Sequence, residues 1–229
     1  MVNDAKIYYD SAGAKYESGD YKGAIDDCNK AIEINSKYTE AYIGRGATKA
    51  EMGSFREAIE DYTKAIEIDP KFAEAYYNRG LAKRQIGDIN GAIEDLTRTI
   101  EIDSKHVEAY RHLGVAKAEA ENYKEAIENF TKAIEIDPKF ARAYCNRGVA
   151  EESLGNYEKA IADFNKSIDL APKDNMAYWG RGWTKYLDQD DYKGAKEDFL
   201  KAIEFYPNLK AEIEPIINEI DKKLAEQGE

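Results

Sequence analysis

The sequence repeats itself at a fixed spacing, and this periodicity constrains the fold more strongly than any other feature. A tyrosine recurs every 34 residues, at Tyr8, Tyr42, Tyr76, Tyr110, Tyr144 and Tyr178. An alanine recurs with spacings of 34, 34, 34, 34 and 35, at Ala24, Ala58, Ala92, Ala126, Ala160 and Ala195. Units of this length bury their apolar faces by stacking on their neighbours. We therefore expect a single array over residues 1–229.

Each repeat reads as two helices joined by a tight turn. In residues 73–106 the apolar positions follow helical spacing on both sides of a break at Gly87. A glycine recurs on the first helix, where a larger side chain would force the two helices apart, at Gly46, Gly80, Gly114, Gly148 and Gly182. The repeats span approximately residues 5–38, 39–72, 73–106, 107–140, 141–174 and 175–209.

The recurring residue types form a recognisable pattern. In the fifth repeat it consists of Tyr144, Gly148, Gly155, Tyr157, Ala160, Phe164, Ser167 and Pro172. This pattern resembles the tetratricopeptide repeat, and the resemblance covers about residues 5–208. It implies an all-α fold, a right-handed α-solenoid (superhelix) of antiparallel helix pairs whose first helices line a concave groove.

Residues after 208 leave the repeat pattern. Ile213, Ile217, Ile220 and Leu224 fall on one helical stripe, and Pro215 suits the first turn of a helix. Because the end of a stacked array needs a polar outer face, we interpret approximately residues 210–227 as a capping helix. A helix that binds a partner is the alternative.

The fourth repeat departs from the others at the turn between its helices. Glu121 stands where the first, second, third and fifth repeats have glycine, while the sixth repeat has a longer turn that also lacks glycine. Side chains disfavour positive φ, so we expect Asn122 to adopt the left-handed conformation in its place.

Position 7 of the repeat is Leu in the common form of the family, but here it is often charged. Four repeats have Arg there and Asp at position 23, as Arg45 with Asp61, Arg79 with Asp95, Arg147 with Asp163, and Arg181 with Asp198. The fourth repeat has Leu113 and Asn129 instead. This covariation within one chain predicts a partly buried bidentate bridge between the two helices of a repeat. Two independently solvated charges are the alternative.

Charge and composition limit the partners. The net charge of −12 argues against nucleic acid and against an anionic membrane surface. No apolar run approaches the roughly 20 residues of a membrane span, and the N-terminus does not resemble a signal peptide. We therefore expect a cytoplasmic protein. Cys28 and Cys145 lie more than three repeats apart, which is too far for a disulfide in a stack.

The residues give little support for catalysis. His106 and His112 lack Cys or acidic partners at metal-ligand spacing, and no nucleophile elbow or phosphate-binding glycine loop occurs. We expect no enzymatic activity, no metal and no cofactor.

The resemblance implies which residues face the groove. The candidates for contact with a bound peptide are Tyr9, Tyr77, Asn78, Leu81, Arg84, Arg111, His112, Arg142, Cys145, Asn146, Trp179 and Trp183. Aromatic and arginine side chains are the usual anchors of interfaces, which favours Arg111, Arg142 and the two tryptophans. The tryptophans could alternatively pack under the capping helix.

Some members of this family act as chaperone adaptors and clamp a C-terminal carboxylate with Lys at position 5 and Asn at position 9 of one repeat. No repeat of this chain carries that pair. The carboxylate clamp is therefore not expected here, although Arg111, His112, Arg142 and Asn146 could hold an acidic group more loosely.

These observations predict a non-catalytic scaffold that binds a peptide or an extended protein segment in its concave groove. The alternative is a structural module that forms homo-oligomers through its repeat ends, because the first repeat begins within a few residues of Met1. Neither nucleic acid nor a membrane is an expected partner.

Overall fold

The structure, a computed structural model, describes residues 2–188 and 191–227. All regular elements within those residues are helices, and no strand occurs among them. The chain divides between Ala116 and Lys117 into two compact units. The prediction of an all-α fold is confirmed.

The first unit consists of three complete helix pairs and most of a further helix. Its helices are α1 (Val2–Glu17), α2 (Tyr21–Ile34), α3 (Thr39–Glu51), α4 (Phe55–Ile68), α5 (Ala73–Gln85), α6 (Ile89–Ile102) and α7 (Val107–Glu119), the last of which continues past the boundary. The antiparallel pairs are α1 with α2, α3 with α4, and α5 with α6. The first helices also contact one another, α1 with α3 and α3 with α5.

The second unit repeats this arrangement. Its helices are α8 (Tyr123–Ile136), α9 (Ala141–Ser153), α10 (Tyr157–Leu170), α11 (Asn175–Asp188) and α12 (Tyr192–Phe205), followed by a short 3₁₀ helix (Pro207–Leu209) and α13 (Lys210–Gln227). Helix α9 pairs with α10 and α11 with α12, while α9 contacts α11. The predicted helix pairs are therefore present in both units.

Small residues lie where the helices of a pair approach closely. A Cβ added at Gly46 would lie 2.8 Å from the Tyr62 ring, and one added at Gly148 would lie 2.9 Å from the Phe164 ring. No real Cβ tolerates such distances without a shift of its surroundings. The recurring glycine on the first helix is therefore required by packing, as predicted.

Helix α13 covers the last helix pair. Ile213 and Ile220 are fully buried in a cluster with Phe199 and other residues of α12. The predicted capping helix is confirmed. Pro215 lies in the second turn rather than the first, since the helix begins at Lys210.

The predicted bridges join the two helices of four repeats. In each of them the arginine Nε lies 2.7–3.1 Å from the aspartate carboxylate, and Nη2 lies 2.5–2.7 Å from it. The aspartates are buried, with 3–7% exposure, at Asp61, Asp95, Asp163 and Asp198. The bidentate geometry confirms the prediction and excludes two independently solvated charges.

The same arginines also reach the preceding repeat. Their Nη1 atoms donate to an amide or hydroxyl oxygen on the previous second helix, at distances of 2.5–3.0 Å, in Asn29, Thr63, Thr131 and Asn165. Each guanidinium therefore joins three helices.

The first repeat has Ser11 in place of the arginine, and Ser11 and two lysines contact Asp27. Lys15 Nζ lies 2.5 Å and Ser11 Oγ lies 2.7 Å from its carboxylate, and Lys30 Nζ lies at 3.2 Å. The hydrogen bond from Lys15, together with those from Ser11 and Lys30, lowers the pKa of Asp27 to about 2, although burial opposes this shift. The carboxylate is therefore held ionised in this repeat too.

The turn in the fourth repeat differs from the expectation. Glu121 adopts φ 61°, and Asn122 has φ −84°, so the prediction for Asn122 is wrong. The Asn122 N–H donates to the Lys117 carbonyl at 2.8 Å, as Asp88 does to Lys83 at 2.9 Å in the third repeat. The turn geometry fixes which residue takes the left-handed conformation, and Glu121 occupies that place.

We expect the buried bridge to be sensitive to the loss of one partner. Arg147→Leu should lower the free energy of unfolding by about 3–5 kcal/mol, because it leaves the Asp163 carboxylate buried without its guanidinium. The double variant Arg147→Leu/Asp163→Asn reproduces the Leu and Asn of the fourth repeat and should recover most of this loss. Urea unfolding of the three proteins measures both effects, and a double variant less stable than Arg147→Leu would contradict this account.

Glycine at position 121 should stabilise the fourth repeat. We expect Glu121→Gly to raise the free energy of unfolding by about 1 kcal/mol, because glycine adopts positive φ without steric cost. Glu128→Gly, at an exposed position inside α8, is the matched control and should lower stability by about 1 kcal/mol. A loss of stability in Glu121→Gly would show that this φ is not strained.

Candidate binding groove

The first unit contains an open cleft along α1 and α3, which we call the Tyr9 cleft. Its volume is about 580 Å³, within the range of ligand sites. The lining residues are Tyr9, Asp10, Ala12, Gly13, Ala14, Tyr16, Glu17, Cys28, Ile43, Gly44, Ala47, Thr48 and Glu74. Gly13 leaves open space, since an added Cβ would meet nothing within 4 Å, whereas Gly44 lets the Tyr9 ring approach, since an added Cβ would lie 3.1 Å from that ring.

Tyr9 is partly buried at one wall of this cleft. Its ring centroid lies 5.4 Å from that of Tyr38. Burial raises the pKa of Tyr9, and the nearby Tyr38, Glu74 and Glu40 raise it further. The phenol therefore stays protonated at neutral pH and can donate a hydrogen bond to a ligand.

A second cleft, the Tyr77 cleft, lies at the start of α5. Its volume is about 600 Å³, and it is lined by Lys71, Phe72, Ala73, Glu74, Tyr77, Asn78, Asp103 and His106. The Tyr77 ring stacks against His106, with centroids 4.7 Å apart, and meets the His112 ring at 5.8 Å. The structure thus brings Tyr77, Asn78 and His112 into one neighbourhood, with Leu81 partly buried on the same helix.

Two arginines flank the His112 ring. Arg111 Nη2 lies 2.5 Å from Nε2, and Arg84 Nη1 lies 3.4 Å from Nδ1. Arg111 also donates from Nε to Glu108 at 2.7 Å. This end of the first unit is the cationic part of its candidate surface.

The candidate residues of the second unit differ in their solvent exposure. Arg142 is exposed and Asn146 is partly buried, but Cys145 is only 5% exposed. Burial raises the pKa of the Cys145 thiol to about 12, and that of the Cys28 thiol to about 11. Cys145 therefore offers little surface and no reactive thiolate.

Trp179 and Trp183 pack against the cluster under α13. Their ring centroids lie 5.9 and 5.5 Å from that of Phe199. Both indoles are partly buried, so each keeps some exposed surface. This placement is the one expected if they pack under the capping helix.

The role of Gly13 and Gly44 is not apparent from the sequence, because a glycine has no side chain that could contact a ligand. A signal was present at position 9. It holds Gly13 and Ala47 in the first two repeats, but Leu81, Val115, Val149 and Trp183 in the others. Small residues at the same position of adjacent first helices therefore indicate a cleft.

Within the described residues there is no group of three or more His, Cys, Asp or Glu side chains placed to hold a metal ion. None of the helices in the described ranges is both long and apolar enough to cross a membrane.

Family models recognise most of the repeats. Two models described as tetratricopeptide repeat match residues 5–38, 73–106 and 177–209, and residues 141–174. A model described as TPR repeat matches residues 49–83 and 116–153. Three of these segments, 5–38, 73–106 and 141–174, coincide with repeats drawn from the sequence.

Several solved structures are similar to this chain. A MamA protein is 32% identical, with a TM-score of 0.69 over 76% of this chain and 94% of that one. YrrB, described as a TPR protein with an unusual peptide-binding site, is 23% identical, with a TM-score of 0.65 over 79% and 92%. A tetratricopeptide repeat protein from Parabacteroides merdae is 21% identical, with a TM-score of 0.72 over 96% and 98%. No curated protein matches the chain.

The fold defines a protein built from repeated antiparallel helix pairs. The chain belongs to the tetratricopeptide repeat family. It is a protein-interaction scaffold.

Proposed function

We propose that this protein binds a peptide or an extended protein segment on the groove formed by its first helices, without catalysing a reaction. The observation that carries the proposal is the Tyr9 cleft, an open space of about 580 Å³ with aromatic walls. Sites of this volume with apolar walls and a few polar groups accommodate ligand side chains. The raised thiol pKa values of Cys28 and Cys145 disfavour nucleophilic chemistry.

The Tyr77 cleft adds support from a neighbouring helix. It combines a stacked Tyr77 with the amide of Asn78, and Arg111 lies nearby on α7. Aromatic and arginine side chains carry most of the affinity at interfaces, and an amide can pair with a peptide backbone. YrrB, which shares this fold, has a peptide-binding site according to its description.

Substitution of groove arginines tests the proposal. We expect Arg111→Ala and Arg142→Ala each to reduce capture of the bound proteins from a lysate roughly fivefold or more, because arginines are frequent anchors. Arg98→Ala, at an exposed position on the second helix α6, is the matched control and should leave capture unchanged. Quantitative mass spectrometry measures the captured set.

The groove assignment is wrong if both groove variants retain the native circular dichroism spectrum and capture the same proteins as the control. Peptides from any protein that is captured should then be tested for direct binding to the purified chain. This second step separates binding of a segment from binding of a folded surface.

Self-association is a second candidate, and one observation favours it. Ile7 on α1 is 60% exposed at position 3 of the repeat. The other repeats hold a fully buried alanine at this position, in Ala41, Ala75, Ala109, Ala143 and Ala177. A face that is buried elsewhere in the array is therefore open on α1 and carries a large apolar side chain.

Sedimentation velocity across a concentration range tests this candidate. If α1 mediates self-association, the sedimentation coefficient should rise with concentration, and Ile7→Lys should abolish the rise by placing a charge in the contact. Lys22→Ala, at an exposed position on α2, is the control. A strict monomer at every concentration removes the candidate.

A further inference from the structure

The walls and the rim of the Tyr9 cleft differ in character. Tyr9, Ile43 and Ala47 give it apolar and aromatic walls, and the buried Cys28 lies at its base. Tyr16 is 38% exposed and can be covered by a ligand without any rearrangement. The cleft therefore suits an apolar side chain or the aliphatic stem of a long one.

The rim of the cleft is acidic. Asp10 is neutralised by Lys6, whose Nζ lies 2.8 Å away. Glu17 and Glu74 also line the cleft, and neither has an ion-pair partner among residues 2–188 and 191–227. The rim thus offers carboxylates that no cation of the described chain neutralises.

Two further carboxylates on α3 belong to the same surface. Burial raises the pKa of Tyr9 and that of Tyr16. The negative charge of Glu40 raises the pKa of Tyr9 further, and that of Glu51 raises the pKa of Tyr16 further. Both glutamates are exposed and without an ion-pair partner in the described part of the chain. Carboxylates therefore lie near both tyrosines.

We infer that the Tyr9 cleft receives a lysine- or arginine-bearing segment of the bound peptide. The inference rests on the proposed function and specifies the chemistry of its ligand. The aliphatic stem of the basic side chain lies along Tyr9 and Ile43, and its cationic head lies between Glu17 and Glu74. An aromatic ring face adds cation–π attraction to the same head.

Charge complementarity selects this occupant over others. An acidic segment or a nucleic-acid backbone would meet the carboxylates of Glu17 and Glu74 without a compensating cation. A purely apolar segment would leave those carboxylates partly desolvated without partners. Only a segment that is both basic and apolar satisfies the walls and the rim together.

Binding of three matched peptides tests the inference. The probes are short fluorescein-labelled peptides in which leucine alternates with lysine, with glutamine or with glutamate. We expect the lysine peptide to bind about fivefold more tightly than the glutamine peptide, and the glutamate peptide to bind least, because exposed ion pairs contribute modestly. Fluorescence anisotropy measures the affinities.

Variants locate the binding. Glu17→Gln/Glu74→Gln should weaken the lysine peptide about fivefold and leave the glutamine peptide unchanged. Glu57→Gln/Glu60→Gln, on exposed positions of the second helix α4, removes the same net charge away from the cleft and should leave the affinities of all three peptides nearly unchanged, because exposed distant charges are screened.

Gly13→Leu blocks the cleft without disturbing the fold. A Cβ at Gly13 meets nothing within 4 Å, and the residue lies inside α1, where leucine is a better helix former than glycine. The new side chain occupies the cleft and should weaken the lysine peptide at least about tenfold. Gly13→Ala, which leaves most of the space open, is its control.

The outcomes separate this inference from the proposed function. Equal binding of the lysine and glutamine peptides, weakened together by Gly13→Leu, would overturn the preference for a cation and leave groove binding standing. Affinities unchanged by Gly13→Leu, or no binding of the lysine peptide at all, would overturn the assignment of the cleft. The capture experiment with Arg111 and Arg142 decides the proposed function on its own.

Discussion

Alanine side chains at the helix crossings set the distances on which the structure of each unit depends. The alanines at position 20 of the repeat are at most 1% exposed, at Ala24, Ala58, Ala92, Ala126, Ala160 and Ala195. A larger side chain at any of them would overpack its contact at a cost of about 1–3 kcal/mol. Because the helices lie this close, neighbouring first helices contact each other, as α1 does α3 and α9 does α11. The groove positions of adjacent repeats therefore form one surface within each unit.

Close packing alone does not fix how one helix is rotated against the next, and the buried aspartates supply that information. Asp95 must meet both Arg79 and Lys83, whose nitrogens lie 2.7–2.8 Å away. A slip or rotation of α6 would strand a buried carboxylate, which is far more costly than a change in apolar contacts. The Nη1 bond from Arg79 to Thr63 extends the constraint to the preceding repeat. The bridges therefore fix the rotation of each helix against the next as well as stabilising the pair.

Much of this fold follows from the sequence because every structural position is sampled several times. The Arg–Asp bridge was predictable since four repeats carry both charges and one repeat lacks both. The positive φ of Glu121 was not, because residue preference disfavours that conformation for a side chain, whereas the hydrogen bond from Asn122 to Lys117 fixes the turn. The Tyr9 cleft was not predictable from the sequence for a related reason. Its volume depends on how residues of several helices combine, which no periodic pattern records.

The bridges also explain why the surface around the Tyr9 cleft is acidic. Its cations are largely committed to carboxylates between or along helices, since Arg45 and Lys49 bind Asp61, and Lys15 and Lys30 bind Asp27. Carboxylates such as Glu17 and Glu74 are left without partners in the described part of the chain. The interactions that hold the helix pairs together thus leave a negative field beside the Tyr9 cleft. A basic ligand segment would supply positive charge to these carboxylates, because the cations of the first unit are largely bound to other carboxylates.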